Sequence, residues 1–414
     1  MSPLRKTRIL YVNHTGLVSG AEKVLLNILR GIDRTRYEAF VLCPARGDLA
    51  AAVQAESIEW FPLPAINARF SSRPDHIFQS ISPLFQSVAA MREQIRALDP
   101  DIVHANSVRA GIAASLAAAG TGKTVIWHVH DTLPRHPVSS AIRAFAFVNR
   151  TTRAIGVSQS TTQRFCGKLP FAERARTIYN GTDLRRFPLK LPGPSAFRSN
   201  IGITNREFLV CAVGQICARK GLLELVDALG RIRNEAPHMH LAIVGKVVFP
   251  HEGVYLEALR AAVVKSGLGD RVHFTGALSD PSPALQAADL LVLNSHDEPF
   301  GLVLIEAMSS GTPVVATRVG GVPEIVTDEE NGWLIDKGDT AALALRLLKL
   351  SRDKEAIERA AQKGRTETCP KFSIERFHNE LMSFYADLHP NLAPDMDRQW
   401  NARNRPALVG RDNH

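Results

Sequence analysis

The chain has 414 residues, of which 45% are hydrophobic and 22% charged, with a formal net charge of +9. This composition excludes a disordered or fibrous chain, and the length favours two domains. No run of 18 uninterrupted apolar residues occurs, which argues against a membrane-spanning helix, and we expect no secretory signal in the first ten residues. Five cysteines without metal-ligand spacing predict a protein of the reducing cytosol.

The charge is unevenly distributed along the chain. Residues 1–190 contain 25 Lys and Arg against 13 Asp and Glu, a net charge of +12, whereas residues 191–414 contain 25 against 28, a net charge of −3. A basic front half predicts an anionic partner, such as a nucleic acid, an anionic membrane surface or a phosphate-bearing acceptor. Because no aromatic platform or recognition motif accompanies the charge, we expect no nucleic-acid partner.

Short apolar runs alternate with helical patterns, the first of which is Ala21–Arg30. The strands predicted in the front half are Arg8–Asn13, Tyr37–Leu42, Asp101–His104, Thr124–Val129, Arg153–Val157 and Arg176–Tyr179. Those predicted in the back half are Phe208–Val213, His240–Val244, Val272–Thr275, Leu290–Leu293, Pro313–Ala316 and Gly332–Ile335. The alternation predicts an α/β protein with two Rossmann-like, doubly wound parallel-sheet domains that face a cleft.

We predict an N-terminal domain over residues 1–188 and a C-terminal domain over residues 189–372. A linker rich in proline and glycine is expected over Asp183–Asn205, because this segment lacks helical or strand periodicity. Apolar residues at helical spacing predict a crossover helix over residues 373–389. The polar, proline-punctuated residues 390–414 predict a mobile tail.

The strongest functional signal is the segment from Glu298 to Glu306, which follows an apolar strand. A helix starting near Gly301 would offer its first backbone amides to a phosphate group, with one carboxylate on either side to accept hydrogen bonds from hydroxyls. The alternative is a solvated Glu306 and a Glu298 that only complements the helix dipole. The predicted ligand-binding residues in this segment are Glu298, Phe300, Gly301, Leu302, Val303 and Glu306.

This segment resembles the E-x7-E signature of the family-four retaining glycosyltransferases, which have the two-domain GT-B fold. Further segments resemble the family in order: Ser19–Glu22, Asp101–His104, Val129–Asp131, Val157–Ser158, Ile178–Asp183, Gly320–Glu324 and Asn331–Gly332. The resemblance covers Arg8 to Tyr385 and implies transfer of a hexose, or a derivative, from a nucleotide-diphosphate sugar to a glycan hydroxyl. It also implies front-face substitution without a metal or other cofactor, and a C-terminal helix that returns to the N-terminal domain. The acceptor would bind to the N-terminal domain, and the donor would bind to the C-terminal domain through the residues of the Glu298–Glu306 segment.

In each half of the chain, a glycine-containing segment follows the first predicted strand. Gly20 lets the backbone approach a ligand closely, and the resemblance implies that it faces the donor diphosphate. Lys220, at the start of a helix, would stabilise the departing diphosphate as a fixed cation. The family usually has an arginine where this chain has Gln215, and the neighbouring Arg219 is the candidate to compensate. The alternative for Arg219 and Lys220 is a solvated helix face.

His128 and His130 fall on one side of a predicted strand, as the ligands of a zinc hydrolase would. The resemblance instead implies that His130 is catalytic and contacts hydroxyls of the reacting sugar. A structural role at the strand end ranks second, and a metal site is the least favoured interpretation. Asp395-Met-Asp397 has the spacing of a metal-binding D-x-D pair, but its polar, proline-flanked setting favours coincidence.

The resemblance also implies that Glu298 binds sugar hydroxyls and is catalytic with His130 and Lys220, and that Glu306 binds the ribose. Two basic or amphipathic segments, residues 70–91 and 135–176, favour peripheral contact with anionic headgroups on the cytoplasmic membrane face and a lipid-linked saccharide acceptor. Core aromatics with solvated arginines are the alternative. Rival functions are a sugar-nucleotide epimerase of the same fold and a catalytically weak nucleotide-sugar-binding protein.

Overall fold

A computed structural model describes residues 5–66, 74–134, 136–167, 171–190, 193–249 and 252–388. The chain forms two compact units. The N-terminal unit comprises the chain up to Gly156, Cys166–Ile178 and the chain from Glu375, and the C-terminal unit comprises Val157–Phe165 and Tyr179–Ile374. The chain therefore leaves the first unit twice and returns to it at the end.

The N-terminal unit contains a seven-stranded parallel sheet in the order β3-β2-β1-β4-β5-β6-β7. Its strands are β1 (Thr7–Val12), β2 (Tyr37–Cys43), β3 (Glu59–Pro62), β4 (Ile102–Ala105), β5 (Thr124–Val129), β6 (Thr152–Gly156) and β7 (Ala175–Thr177). Its helices are α1 (Gly20–Gly31), α2 (Leu49–Ala55), α3 (Pro74–Leu98), α4 (Val108–Ala117), α5 (Pro137–Val148) and, after the second unit, α14 (Ile374–Leu388). Helix α6 (Gln159–Cys166) lies almost entirely in the C-terminal unit.

The C-terminal unit contains a six-stranded parallel sheet in the order β10-β9-β8-β11-β12-β13. Its strands are β8 (Phe208–Val213), β9 (Met239–Val244), β10 (Val272–Gly276), β11 (Leu290–Leu293), β12 (Val314–Thr317) and β13 (Trp333–Ile335). Its helices are α7 (Ala196–Asn200), α8 (Leu222–Arg231), α9 (Gly253–Lys265), α10 (Ser282–Ala287), α11 (Leu302–Ser309), α12 (Thr340–Leu350) and α13 (Lys354–Lys363).

Both sheets are covered on both faces, which is why their strands are nearly continuous apolar runs. All four residues of β11 and of β12 are buried, and β8 alternates between two apolar clusters, with Leu209 in one and Val210 in the other. Burial on two faces is typical of parallel sheets with helical crossovers. The predicted fold class of two Rossmann-like parallel-sheet units is confirmed. Within the described residues, the helices are all too short or too polar to cross a membrane.

Three features differ from the sequence prediction. Strand β3 was missed, because this short edge strand contains Pro62 and has no buried residue, so it lacks an apolar pattern. The C-terminal unit takes in Val157–Phe165 and then runs on from Tyr179, whereas the sequence placed one boundary between residues 188 and 189. The expected linker lies within that unit and contains α7, which Ser195 caps by accepting a hydrogen bond from the amide of Arg198. The predicted tail, residues 390–414, lies outside the described residues.

Candidate functional site

The two central strands of the C-terminal sheet carry the first group of predicted site residues. β8 and β11 are neighbours, and the strand order reverses between them, so ligands of such sheets bind at their carboxyl ends. Lys220 follows β8 and Glu298 follows β11, and Nζ of Lys220 donates to Oε2 of Glu298 at 2.7 Å. The structure thus joins two residues that the sequence placed in separate motifs.

Glu298 is held as a charged carboxylate in a buried setting. Its side chain is 11% exposed and that of Lys220 is 15% exposed, and Oγ of Ser295 donates to the same Oε2 at 3.1 Å. Burial raises the pKa of Glu298, but the charge and hydrogen bond of Lys220, with the charge of Arg219, outweigh it and hold the pKa below its usual value. The pair is therefore ionised at neutral pH.

A glycine turn fixes the backbone of the Glu298 loop. The amide of Gly321 donates to the carbonyl of Glu298 at 3.0 Å. Gly320 has φ +53°, and a Cβ there would lie 2.0 Å from the same carbonyl oxygen. The carbonyl of Pro299 accepts a hydrogen bond from Oγ of Ser158 at 2.7 Å. Side chains larger than hydrogen at Gly320 would therefore displace the loop that carries Glu298.

Helix α11 begins immediately after this loop, as the sequence predicted. Gly301 precedes its first residue with φ +105°, a left-handed conformation that favours glycine. Glu306 lies in the second turn and is half-buried. The side chain of Phe300 packs in the core against Tyr179 and Phe372, so only its backbone is available to a ligand. Leu302 and Val303 also pack against that core with their side chains.

Gln215 and Arg219 occupy different surroundings from Lys220. Nε2 of Gln215 donates to Oε2 of Glu252 at 2.6 Å, so this amide is paired with an acid. Arg219 is exposed, and its Nη1 donates to the carbonyl of Asp297 at 3.0 Å. Among the predicted cations, Lys220 is therefore the one that is buried against Glu298.

The second group of predicted residues lies in the N-terminal unit, again where the strand order reverses, between β1 and β4. Nε2 of His130, just after β5, lies 3.0 Å from Oδ1 of Asn106, just after β4. Nδ2 of Asn106 donates to Oδ1 of Asn13, just after β1, at 3.0 Å. Nδ2 of Asn13 donates to Oε1 of Glu22 at 3.1 Å. These four side chains form one hydrogen-bonded chain at the sheet edge.

Behind His130 lies a layer of buried aromatic and imidazole groups. The rings of His128 and His130 are 4.1 Å apart, and Nδ1 of His128 is 3.2 Å from Nε2 of His104. Tyr385, on α14, lies with its hydroxyl 2.7 Å from Nδ1 of His104 and 3.2 Å from the hydroxyl of Tyr11. Burial, as the largest cause, lowers the pKa of both His104 and His130 to about 3. The layer is therefore uncharged at neutral pH.

Gly20 is exposed at the start of α1, and a Cβ placed there would meet no heavy atom within 4 Å. Packing therefore does not require glycine at this position. Glu22, two residues later, is buried and closes the first turn of the helix, accepting hydrogen bonds from the amide and the hydroxyl of Ser19 at 3.0 and 2.5 Å.

The structure does not add metal ligands to His128 and His130 within the described residues. Within the described residues there is no group of three or more His, Cys, Asp and Glu side chains placed to hold a metal ion. His128 and His130 are adjacent, but their described partners are His104 and Asn106. Asp395-Met-Asp397 lies outside the part of the chain that the structure describes.

The two segments expected to meet an acceptor are described in part. In the first, residues 70–73 lie outside the described residues, Phe85 is 68% exposed and Met91 is in the core. In the second, Arg174 stacks on the rings of Phe147 and Phe171, with its guanidinium 5.2 and 4.7 Å from their centroids. The first segment therefore has an exposed apolar side chain, and in the second a half-buried arginine lies between the core residue Phe171 and the half-buried Phe147.

Sequence reasoning missed Asn13, Asn106 and Ser295. A signal was available for the two asparagines, because each is the first residue after an apolar strand. Carboxyl ends of neighbouring parallel strands meet at one edge, so polar residues at these positions gather there. Ser295 follows β11 in a similar way, two residues after the strand ends.

Two family models match the chain in sequence. Residues 18–186 match "Glycosyltransferase Family 4", and residues 195–367 match "Glycosyl transferases group 1". The putative glycosyltransferase EpsD of Bacillus subtilis is 27% identical over 320 residues, 73% of this chain and 81% of its own length. The lipopolysaccharide core biosynthesis mannosyltransferase LpsB of Rhizobium meliloti is 30% identical over 213 residues, 51% of this chain and 60% of its own. For most of the first curated relatives, the match spans about half of their length.

Among solved structures, that of Anabaena HepE in complex with UDP-glucose has a TM-score of 0.79 and 26% sequence identity. The likeness covers 92% of this chain and 99% of HepE. The sequence models and the two parallel-sheet units agree with the resemblance seen in the motifs. The chain belongs to the family-four glycosyltransferases and has the GT-B fold.

Proposed function

We propose that the protein is a retaining glycosyltransferase that moves a hexose, or a derivative, from a nucleotide-diphosphate sugar to a hydroxyl of a glycan. The observation that carries this proposal is the buried Lys220–Glu298 ion pair beside the start of α11. A cation, a carboxylate and free helix amides together suit a ligand that carries phosphates and hydroxyls. The likeness to HepE with bound UDP-glucose supports a uridine nucleotide sugar as the first donor to test.

Each group has a chemical role in the proposed reaction. Lys220 neutralises charge that develops on the departing diphosphate, while the backbone amides of Gly301, Leu302 and Val303 donate to phosphate oxygens. Glu298 accepts hydrogen bonds from sugar hydroxyls, and Glu306 accepts them from the ribose. The neutral amide of Gln215 and the solvent-exposed guanidinium of Arg219 contribute further hydrogen-bond donors to the site that binds the nucleotide sugar.

The proposed substitution proceeds on one face of the sugar. The bond from the anomeric carbon to the diphosphate oxygen breaks, the acceptor oxygen bonds to the same face, and the acceptor proton passes to the departing phosphate. No protein nucleophile and no metal ion takes part in this scheme. His130, held neutral by burial, contacts a sugar hydroxyl, and Gly20 leaves space for the donor diphosphate.

For the acceptor we propose a lipid-linked saccharide at the cytoplasmic face of a membrane, used in the assembly of a cell-surface polysaccharide or glycolipid. The net charge of +12 in residues 1–190 and the exposed Phe85 and Val148 support contact with anionic headgroups. Similarity to LpsB, named for lipopolysaccharide core biosynthesis, supports this acceptor class. Sedimentation with vesicles at low and high salt tests it, and a chain that ignores anionic vesicles at low salt would contradict it.

The donor is tested by thermal stabilisation across nucleoside diphosphates and their sugars, with and without a chelator. We expect a shift with one nucleoside family that the chelator leaves unchanged and that Glu306→Ala abolishes. NMR of the product then reports the anomeric configuration, with retention expected. Release of free nucleoside diphosphate distinguishes a transferase from an epimerase or a binding protein. No shift with any nucleotide would overturn the proposal.

A further inference from the structure

The orientation of the Asn106 side chain is fixed by its acceptors. Its Nδ2 lies 3.1 Å from the carbonyl oxygen of Ala21, which can only accept a hydrogen bond, and 3.0 Å from Oδ1 of Asn13. With the amide nitrogen turned toward these two oxygens, the amide oxygen faces Nε2 of His130 at 3.0 Å. The opposite orientation would place NH2 against Nε2 of His130 and would bring the amide oxygen of Asn106 against the oxygens of Ala21 and Asn13, which cannot donate to it.

This orientation decides which ring nitrogen of His130 carries the proton. An amide oxygen has no proton to give, so Nε2 of His130 must be the donor. Burial lowers the pKa of His130 to about 3, which leaves a single ring proton at neutral pH. Nδ1 is therefore the unprotonated nitrogen. It makes no hydrogen bond to any residue within the described ranges. Although burial dominates the surroundings of the ring, part of the His130 surface is open to solvent.

The orientation of the Asn13 side chain is fixed in the same way. Its Nδ2 lies 2.6 Å from the carbonyl oxygen of Thr15 and 3.1 Å from the Glu22 carboxylate, both of which only accept. Its Oδ1 is therefore the atom that faces Asn106. All donors consequently point one way along the chain, from His130 through the two amides to Glu22. Hydrogen bonds aligned in this way polarise one another, which strengthens the free acceptor at the far end.

We propose that Asn106, Asn13 and Glu22 are positioning residues that fix His130 as its Nε2–H tautomer, so that Nδ1 accepts a hydrogen bond from a hydroxyl of the sugar substrate. The sugar part of this inference rests on the proposed function, whereas the tautomer is a property of the chain alone. A histidine of the opposite tautomer would present an N–H and would require an acceptor on the substrate.

The tautomer is measured on the full chain with ¹⁵N-labelled histidine, by long-range ¹H–¹⁵N correlation at pH 7. His130→Gln assigns the His130 signals among those of the other histidines. We expect a protonated Nε2 and an unprotonated Nδ1 in the wild-type protein. A protonated Nδ1, or rapid exchange between the two forms, would overturn the proposal without reference to activity.

Variants then test the chain of amides. Asn106→Leu removes the acceptor at similar size, and we expect a mixture of tautomers and at least about a tenfold loss in kcat/KM for transfer, the value of one hydrogen bond. Glu22→Gln keeps the size but removes the charge and one of the two acceptor oxygens, so it can no longer accept from both Asn13 and Ser19. It should retain the tautomer, shift the Nδ1 resonance and lower kcat/KM by about two- to fivefold. An unchanged Nδ1 resonance in Glu22→Gln would contradict the polarised chain.

The two arms separate this inference from the proposed function. An Nε2–H tautomer in a chain that transfers no sugar would support the positioning and contradict the function. An active transferase whose His130 carries its proton on Nδ1 would support the function and contradict the positioning. His14 and the buried His104 and His128 lie near the ring, and none of these variants alters them. Their signals are the internal control for the labelled spectra.

Discussion

The two sheets reverse their strand order in the same way, but different side chains join the strand ends at the two reversal points. One pair is charged and the other consists of uncharged amides. In the C-terminal unit an ion pair, Lys220 and Glu298, joins the ends of β8 and β11. In the N-terminal unit two amides, Asn13 and Asn106, join the ends of β1 and β4. The topology thus sets where polar residues gather, and the side chains set whether that place is charged or neutral.

The difference has an energetic meaning. A buried ion pair is strongly coupled, because removing one partner leaves an uncompensated charge. The two amides carry no charge of their own, although their chain ends at the buried Glu22 carboxylate. They do have a direction, since each amide can be turned only one way. We therefore expect the C-terminal site to respond chiefly to changes in charge and the N-terminal site chiefly to changes in hydrogen-bond pattern and in protonation.

The largest expected effect is a loss of stability of the N-terminal unit in mild acid. Burial lowers the pKa of His14 to about 4 and of His104 and His130 to about 3, and that of His128 well below its usual value. Below pH 6.5 the unfolded chain binds protons that the folded unit does not. The free energy of unfolding should fall by about 1.4 kcal/mol per histidine for each pH unit.

Hydrogen exchange of the full chain between pH 7 and 5, corrected for intrinsic rates, measures this loss. The C-terminal unit is the internal control. Burial also lowers the pKa of two half-buried histidines there, His240 and His273, but Glu298 has a lowered pKa and keeps its stabilising effect until the pH falls below 4.5 and through its folded value. Peptides from β1, β4 and β5 should lose protection before those from β8 and β11. Equal loss in both units would contradict the comparison.

The next effect is on transfer itself. Lys220→Met removes the cation from the proposed diphosphate site, and we expect kcat/KM to fall about 10²- to 10³-fold, as for loss of one preorganised electrostatic contact. It also leaves Glu298 buried without its partner, at a cost of about 3–5 kcal/mol in stability. Steady-state kinetics and thermal unfolding report the two effects separately.

A double variant separates catalysis from folding. Lys220→Met/Glu298→Gln removes both charges at similar volume, so its thermal stability should recover while its activity stays low. Exposed Arg219→Gln, on the adjacent residue, should lose far less activity than Lys220→Met. Full activity in the double variant would show that Lys220 serves the fold alone.

The smallest effect is expected at Gln215. Gln215→Arg adds a cation beside the proposed diphosphate site, but Glu252 lies 2.6 Å from the present amide and would neutralise much of the new charge. We therefore expect the donor KM to fall by less than about tenfold. Gln215→Leu is the uncharged control, and a donor KM that rises in Gln215→Arg would show that the amide itself is required.

The sequence predicted the strands well where the apolar pattern was unambiguous, as in β8 and β11, because parallel strands buried on two faces are continuous apolar runs. It also named Lys220, Glu298 and His130. It did not predict the ion pair between Lys220 and Glu298, because they are 78 residues apart and only the folded sheet brings them together.

Other parts of the site needed the structure for a different reason. Phe300 stands in the motif like its neighbours, yet its ring is in the core, and residue type does not tell which way an aromatic side chain turns. The amide chain from Asn106 to Glu22 required the sheet order, since Asn13 and Asn106 follow the neighbouring strands β1 and β4 but are 93 residues apart in sequence. Edge strand β3 had too few buried residues to show a pattern.

The return of α14 to the N-terminal unit has a consequence for synthesis on the ribosome. Tyr385 provides the hydroxyl that meets His104 inside this unit, and it also meets Tyr11, which is made 374 residues earlier. At about 5–20 residues per second, the interval between them is about 20–75 s. During that time β1 and β4 lack the helix that completes their core. Of the two units, the N-terminal one is therefore the first to start being synthesised and the last to complete its core.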